Sequence, residues 1–173
     1  MTEFLDVIDE RDQVIGRADR ADVHTRGLLH RGAHVLLFDG EGRLVVQKRS
    51  ADRKQYASLL DCSVSEHVQA GESYLQAAQR GLAEELGVSG VELRQVFKFR
   101  LTYGPNDEEV SVVFEGRANP LRVQVDASEV SEVRYVREQD VLESMSQRPQ
   151  EFCGWFIQIM RHRAGQPVEI KIL

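Results

Sequence analysis

Glu84 and Glu85 stand side by side at the end of the 23-residue stretch EHVQAGESYLQAAQRGLAEELGV, Glu66 to Val88, with Arg80 four residues before Glu84 and Glu72 further upstream. Two carboxylates fixed on one helical turn beside a glycine-containing loop suit a hard cation such as Mg²⁺. That ion takes oxygen ligands and bridges to phosphate oxygens. The helix that must carry them is legible. Ser73 is an N-cap, Gly87 sits where a C-terminal glycine belongs, and Leu75, Ala78, Leu82 and Leu86 share one apolar face at about 100° per residue. Glu84 points away from that face and Glu85 borders it. The bland alternative is a solvated acidic helix end.

Around this helix the chain alternates between two periodicities. Leu5 to Ile8 and Val14-Ile15 read as a short hairpin around Glu10 to Gln13. His34 to Phe38 and Leu44 to Gln47 read as strands joined by the turn Asp39-Gly40-Glu41-Gly42. Val91 to Tyr103 and Val110 to Gly116 form a second pair, linked through Gly104, Pro105 and Asn106, and Val130 to Val136 reads as one more strand. Gln139 to Ser146 is expected to form a short helix and Arg148 to His162 a longer one, with Phe152, Phe156, Ile159 and Met160 at helical spacing. Interleaved strands and helices favour an α/β sheet flanked by helices.

Composition narrows the partners. The 173 residues are most simply one domain, with 42% hydrophobic and 29% charged residues as in a soluble globular protein. A net charge of −6 argues against general affinity for a nucleic-acid polymer or an anionic membrane. A phosphate-bearing small molecule must then be held by local cations, for which Arg49 and Lys54 are candidates, or by metal. No apolar run approaches a membrane span, no secretory pattern opens the chain, and Cys62 and Cys153 make neither a zinc pattern nor a disulfide framework. A reduced cytoplasm is the default expectation.

The stretch resembles the Nudix box, G-x5-E-x7-R-E-U-x-E-E-x-G-U with U aliphatic. In register, Glu72, Arg80, Leu82, Glu84, Glu85, Gly87 and Val88 match. Two defining positions depart: Glu66 stands where the box opens with Gly, and Gly81 where the first Glu of R-E-U-x-E-E belongs. The segments FLDVIDERDQVIG, HTRGLLHRGAHVLLF, VVQKRSADRK and EFCGWF are similar to the isopentenyl-diphosphate isomerase-like branch of that family. The resemblance implies an α/β/α sandwich with a mixed central sheet. It also implies a Mg²⁺ site, with Mn²⁺ able to stand in, made by Glu84 and Glu85, and an orienting ion pair between Glu72 and Arg80. Isomerases of the branch hold a second metal with three His and two acidic residues. His24, His30, His67, Asp107 and Glu109 fall near those positions, and Ser65 stands where they carry a catalytic Cys. A serine hydroxyl does not replace a thiol, with its reference pKa of about 8.5, in proton exchange with carbon.

The expectation is therefore a Mg²⁺-dependent pyrophosphohydrolase acting on a nucleoside di- or triphosphate or a related derivative. Glu84, Glu85 and Glu109 would be catalytic, with Glu109 as the base. Prenyl diphosphate isomerisation and nucleotide binding without turnover remain rivals. Glycine inside a helix costs about 1 kcal/mol relative to alanine. So either close packing demands Gly81 or another group, among Glu66, Glu108 and Glu109, has taken the missing role. Trp155 reads as core or cleft wall.

Overall fold

A computed structural model describes residues 3–173 except Pro105 and Pro120. In chain order the elements are β1 (Phe4–Ile8), β2 (Val14–Asp19), α1 (Arg20–Arg26), β3 (His30–Phe38), β4 (Leu44–Arg49), β5 (Leu60–Asp61), β6 (Val64–His67), α2 (Tyr74–Leu86), β7 (Leu93–Gly104), β8 (Asp107–Arg117), β9 (Val130–Val136), α3 (Glu138–Gln147), a 3₁₀ turn (Pro149–Glu151), α4 (Gly154–Arg163) and β10 (Lys171–Ile172). The main sheet runs β10-β7-β8-β3-β4-β5, with β6 added on β3 and β9 on β4. Its centre is the parallel pair β3–β8, in which His30 stands opposite Glu109. The other pairings are antiparallel, so the sheet is mixed.

Alternation along β3 sends side chains to two cores. Leu36 and Phe38 pack with Phe99, Val113, Phe156 and Ile159 on the α3–α4 side. Ala33, Val35 and Leu37 pack with Val64, Ala77, Ala78, Leu82 and Leu86 under α2. This is the α/β/α sandwich that the sequence implies.

Three local expectations change. Leu75 is 39% exposed, and the buried face of α2 is Ala77, Ala78, Gly81, Leu82, Glu85 and Leu86. Glu85 is therefore inside that face rather than at its border. The long C-terminal helix is broken: Phe152 is extended, at φ −119° and ψ 148°, and bridges Leu60, while Cys153 N donates to Leu60 O at 2.9 Å. A strand-type contact has taken the backbone out of the helix. Finally, α1, β5, β6 and β10 are additional elements. The expected turn at Gly104, Pro105 and Asn106 contains Pro105, which lies outside the described residues.

The start and stop of α2 follow its sequence signals. Ser73 Oγ accepts from Gln76 N at 3.2 Å, Gln76 Oε1 accepts from Ser73 N at 2.8 Å, and Gly87 caps the end at φ 64°. The remaining surprise is Gly81. A Cβ there would stand 2.6 Å from Glu66 Cγ and would collide with Val64 Cγ1, both on β6. Close approach of helix to strand requires glycine, so adding a glutamate side chain at 81 alone disrupts packing instead of simply enriching the site.

Candidate active site

The loops and strand ends around β3, β6 and α2 enclose a cleft of about 640 Å³. Glu66, Glu84 and Glu85 line it together with Arg17, Arg20, Arg49 and Arg53, and so do His24, His34, His67, Asp107, Glu109, Tyr56, Tyr103 and Trp155.

The carboxylate wall is built by β6, α2 and the loop between them. Arg80 is its hub. Its guanidinium donates to Glu72 Oε1 at 3.0 Å, Glu66 Oε2 at 2.9 Å, Glu84 Oε2 at 3.2 Å and the His67 carbonyl at 2.9 Å. Glu72 also accepts from Gln69 N at 3.0 Å, which ties the loop to the helix. Glu84 is open to solvent, its side chain 60% exposed. Glu85 is only 3% exposed and accepts from Gln47 Nε2 at 2.7 Å. Burial first, and then the adjacent Glu66, push its carboxyl well above the ordinary range.

The same cleft also holds a histidine group. The ligating atoms of His24, His30 and His67 lie within 4.8 Å of one another. His30 Nδ1 is 3.0 Å from the Leu28 carbonyl. Only a protonated Nδ1 can bond there, which leaves Nε2 as the free acceptor, 3.6 Å from Glu109 Oε2. His67 Nε2 is 3.9 Å from the same oxygen, and His24 Nδ1 is 3.3 Å from Asp107 Oδ1. Burial depresses His30 and His67, keeping them neutral near pH 7. Neutral imidazoles with bare nitrogens, beside two carboxylates, fit a borderline transition metal. Glu109 is held over β3 because Gly32 has no Cβ to collide with its carboxyl. Burial pushes Glu109 up to about 7, against hydrogen bonds from Ser111 and Tyr103.

Ser65 has no freedom left. Its Oγ accepts from Trp155 Nε1 at 3.1 Å and lies 3.0 Å from both Asp61 Oδ1 and His34 Nδ1. Asp61, fully buried, also accepts from Trp155 Nε1 at 2.7 Å and from Arg49 Nη1 at 3.0 Å. With the carboxylate as acceptor, Ser65 donates to Asp61 and His34 Nδ1–H donates to Ser65. Burial lowers His34 to about 4, and its bare Nε2 faces Glu109 Oε1 at 3.8 Å.

Of the residues expected from sequence, Arg49, Glu84, Glu85 and Glu109 meet in the cleft, Arg80 lines it, and Glu72 braces Arg80 from behind. Lys54 is exposed on the loop after β4 and is not among the lining residues; its neighbour Arg53 is. Glu108 turns to Arg100 at 2.8 Å, away from the site. Asp61, His34, Arg20 and Arg53 were not anticipated. A histidine inside the apolar run of β3 was the one available signal.

With the fold and site in place, comparison with known proteins gives the class. A NUDIX domain profile matches residues 28–156, and the chain belongs to the Nudix family. It is thereby an enzyme of the class that hydrolyses phosphoric anhydrides. It is similar to an uncharacterized Nudix hydrolase of Pseudomonas aeruginosa, at 36% identity over 160 residues and 92% of each chain. It is also similar to an isopentenyl-diphosphate Delta-isomerase of Serratia proteamaculans, at 33% identity over 98% of this chain and 96% of that one. A crystal structure of a Deinococcus radiodurans protein superposes with TM-score 0.80 at 25% identity, over 92% of this chain and 98% of the other. Relatives of both names agree with the isomerase-like branch.

Proposed function

We propose that the chain, acting as one domain, is a Mg²⁺-dependent pyrophosphohydrolase that cleaves the diphosphate linkage of a nucleoside di- or triphosphate or a related derivative. One observation carries this reading: the carboxylates of Glu84 and Glu85 share a cleft with the guanidinium groups of Arg17, Arg20, Arg49 and Arg53. Arg17 has no acidic partner among the described residues, and Arg20, Arg49 and Arg53, paired with Glu3, Asp61 and Glu129, have further N–H groups to offer phosphate oxygens, beside anions for the metal. Among relatives of the same fold, a Caenorhabditis elegans Ap4A hydrolase, at TM-score 0.56, is named for a nucleotide substrate.

Glu84 and Glu85 would hold the divalent cation, and their oxygen donors suit a hard ion. When bound, it would neutralise charge on the diphosphate oxygens. Arg49 keeps a buried Nε–H with no partner among the described residues, a donor ready for a phosphate oxygen. Glu109, with a carboxyl at about 7, is suited to take a proton from attacking water near neutral pH. Tyr56 and Trp155, edge to face at 4.7 Å, offer an apolar surface for a base. Two buried, unpaired thiols, Cys62 and Cys153, support a reducing, cytoplasmic setting.

The histidine group favours one rival, isomerisation of a prenyl diphosphate, because it repeats the isomerase shell. Ser65 weighs against it: the hydroxyl at the thiol position is bound into the Asp61–Trp155–His34 network. A panel of nucleotides and isopentenyl diphosphate, each with Mg²⁺ or Mn²⁺, separates the two. Hydrolysis of a nucleotide releases phosphate or pyrophosphate, and Glu84→Gln and Glu85→Gln should each lower that rate at least about tenfold. A rearranged prenyl diphosphate with no released phosphate would replace the hydrolase reading.

A further inference from the structure

The two departures from the Nudix box touch each other. The room that a side chain at 81 would enter is filled from the neighbouring strand: a Cβ on Gly81 would lie 2.6 Å from Glu66 Cγ. Glu66 thus leaves β6 across the bare turn of α2. Its carboxylate, with the side chain only 16% exposed, accepts from Arg80 Nη1 at 2.9 Å and lines the same cleft as Glu85. Glu85 forms no ion pair among the described residues; its donor is the neutral amide of Gln47. Two carboxylates that share a cleft, one of them nearly inaccessible, offer paired oxygen donors to a hard cation.

We propose that the departures are one reciprocal exchange: Glu66 delivers from β6 the carboxylate that α2 lacks at Gly81, and Glu66 with Glu85 forms the buried oxygen-donor pair for the divalent cation. This rests on the metal-dependent reading above. It gives Glu66 a role distinct from bracing Arg80, which already has Glu72 and Glu84. It also explains why Gly81 tolerates its helix position. The glycine is the cradle for the Glu66 side chain, and the carboxylate reaches the site from the opposite partner of the same contact.

The test is Mg²⁺ binding to metal-free protein, by calorimetry and by the metal-dependent shift of the thermal midpoint. Mg²⁺ is the probe because the histidine group does not suit it. Glu66→Gln keeps shape and an oxygen for Arg80 but removes the charge. It should weaken Mg²⁺ at least about tenfold, as should Glu85→Gln, while metal-free stability is unchanged or higher. Wild-type Mg²⁺ affinity in Glu66→Gln, with affinity lost in Glu85→Gln, would overturn the exchange and leave the hydrolase site standing. Wild-type affinity in both would overturn the site assignment itself. Moving the carboxylate back, with Val64→Ala, Glu66→Gly and Gly81→Glu together, should restore affinity to within about threefold of wild type, whereas Glu66→Gly alone stays weak. A folded triple variant with no Mg²⁺ affinity would refute the exchange, and the Gln variant decides the proposal even where the triple variant does not fold.

Discussion

The two acidic–basic groups of the cleft are finished in opposite ways. Around Arg80 the donors are engaged: three glutamates and a backbone carbonyl surround one guanidinium. In the histidine group, by contrast, both nitrogens of His24 and the Nε2 atoms of His30 and His34 are buried without a hydrogen-bond partner among the described residues. Buried polar groups are ordinarily satisfied, and an exception needs a reason. One group is scaffold first, and the other is left open for binding. The donors of Arg80 are satisfied without a ligand and hold loop to helix, while Glu66 and Glu84 each bind it through one oxygen and keep the other for a cation. The histidine group is incomplete, and its unmet valence is what a metal or substrate would fill.

The hub should carry the larger share of stability. Arg80→Ala strands Glu66, Glu72 and Glu84 without their shared cation, and should cost about 3 kcal/mol in a urea unfolding experiment. A loss below about 1 kcal/mol would show that the loop and helix hold without it.

Glu109 lies on the incomplete side, and its effect has a sign. Its folded pKa, about 7, exceeds the ordinary carboxyl value of 4.5. The native state therefore binds the extra proton, and metal-free stability falls as pH rises from about 4.5 to about 7, the cost being fully present above that. Glu109→Gln should be more stable than wild type at pH 8, by up to about 3 kcal/mol, with the gap closing below pH 4.5. Turnover should fall in the same variant. Equal pH–stability curves would mean that Glu109 is compensated by a neighbour.

The smallest expected effect sharpens the contrast. His24→Ala removes a side chain without hydrogen-bond partners, so metal-free stability should change by less than about 0.5 kcal/mol. Binding of a transition ion such as Zn²⁺ should weaken at least about tenfold. A large loss of stability with unchanged Zn²⁺ binding would make the cluster part of the scaffold.

Sequence reached the first group more easily than the second for physical reasons. The hub is nearly local: Glu66 at the end of β6, Glu72 in the following loop, and Arg80 and Glu84 on α2 are consecutive pieces of chain, where capping residues and helical spacing constrain geometry. The second gathers residues from α1, β3, β6 and β8, and depends on the parallel register that sets His30 against Glu109. Family resemblance suggested the three histidines, but spacing alone did not. His34 was missed because a histidine in an apolar strand reads as packing until its neighbours are known. Leu75 was misplaced because helical periodicity leaves the phase of a short apolar stripe free by one position. The continuous helix over Arg148 to His162 failed at Phe152, where the bridge to Leu60 outcompeted local periodicity. Gly81 was recognised as odd, yet its reason lay on a strand partner, Val64 and Glu66, that no helical pattern contains.

Trp155 closes the account from a different direction. It is the only tryptophan in the chain, and its indole is 7% exposed at the cleft, bonded to Asp61 and Ser65 and edge-on to Tyr56 and Tyr103. The protein's indole fluorescence therefore comes from one place, the site itself. Excitation near the red edge of its absorbance reports the polarity of the cleft without a label. Displacement of cleft water by an occupant registers in that single emission spectrum, so occupancy can be followed separately from turnover.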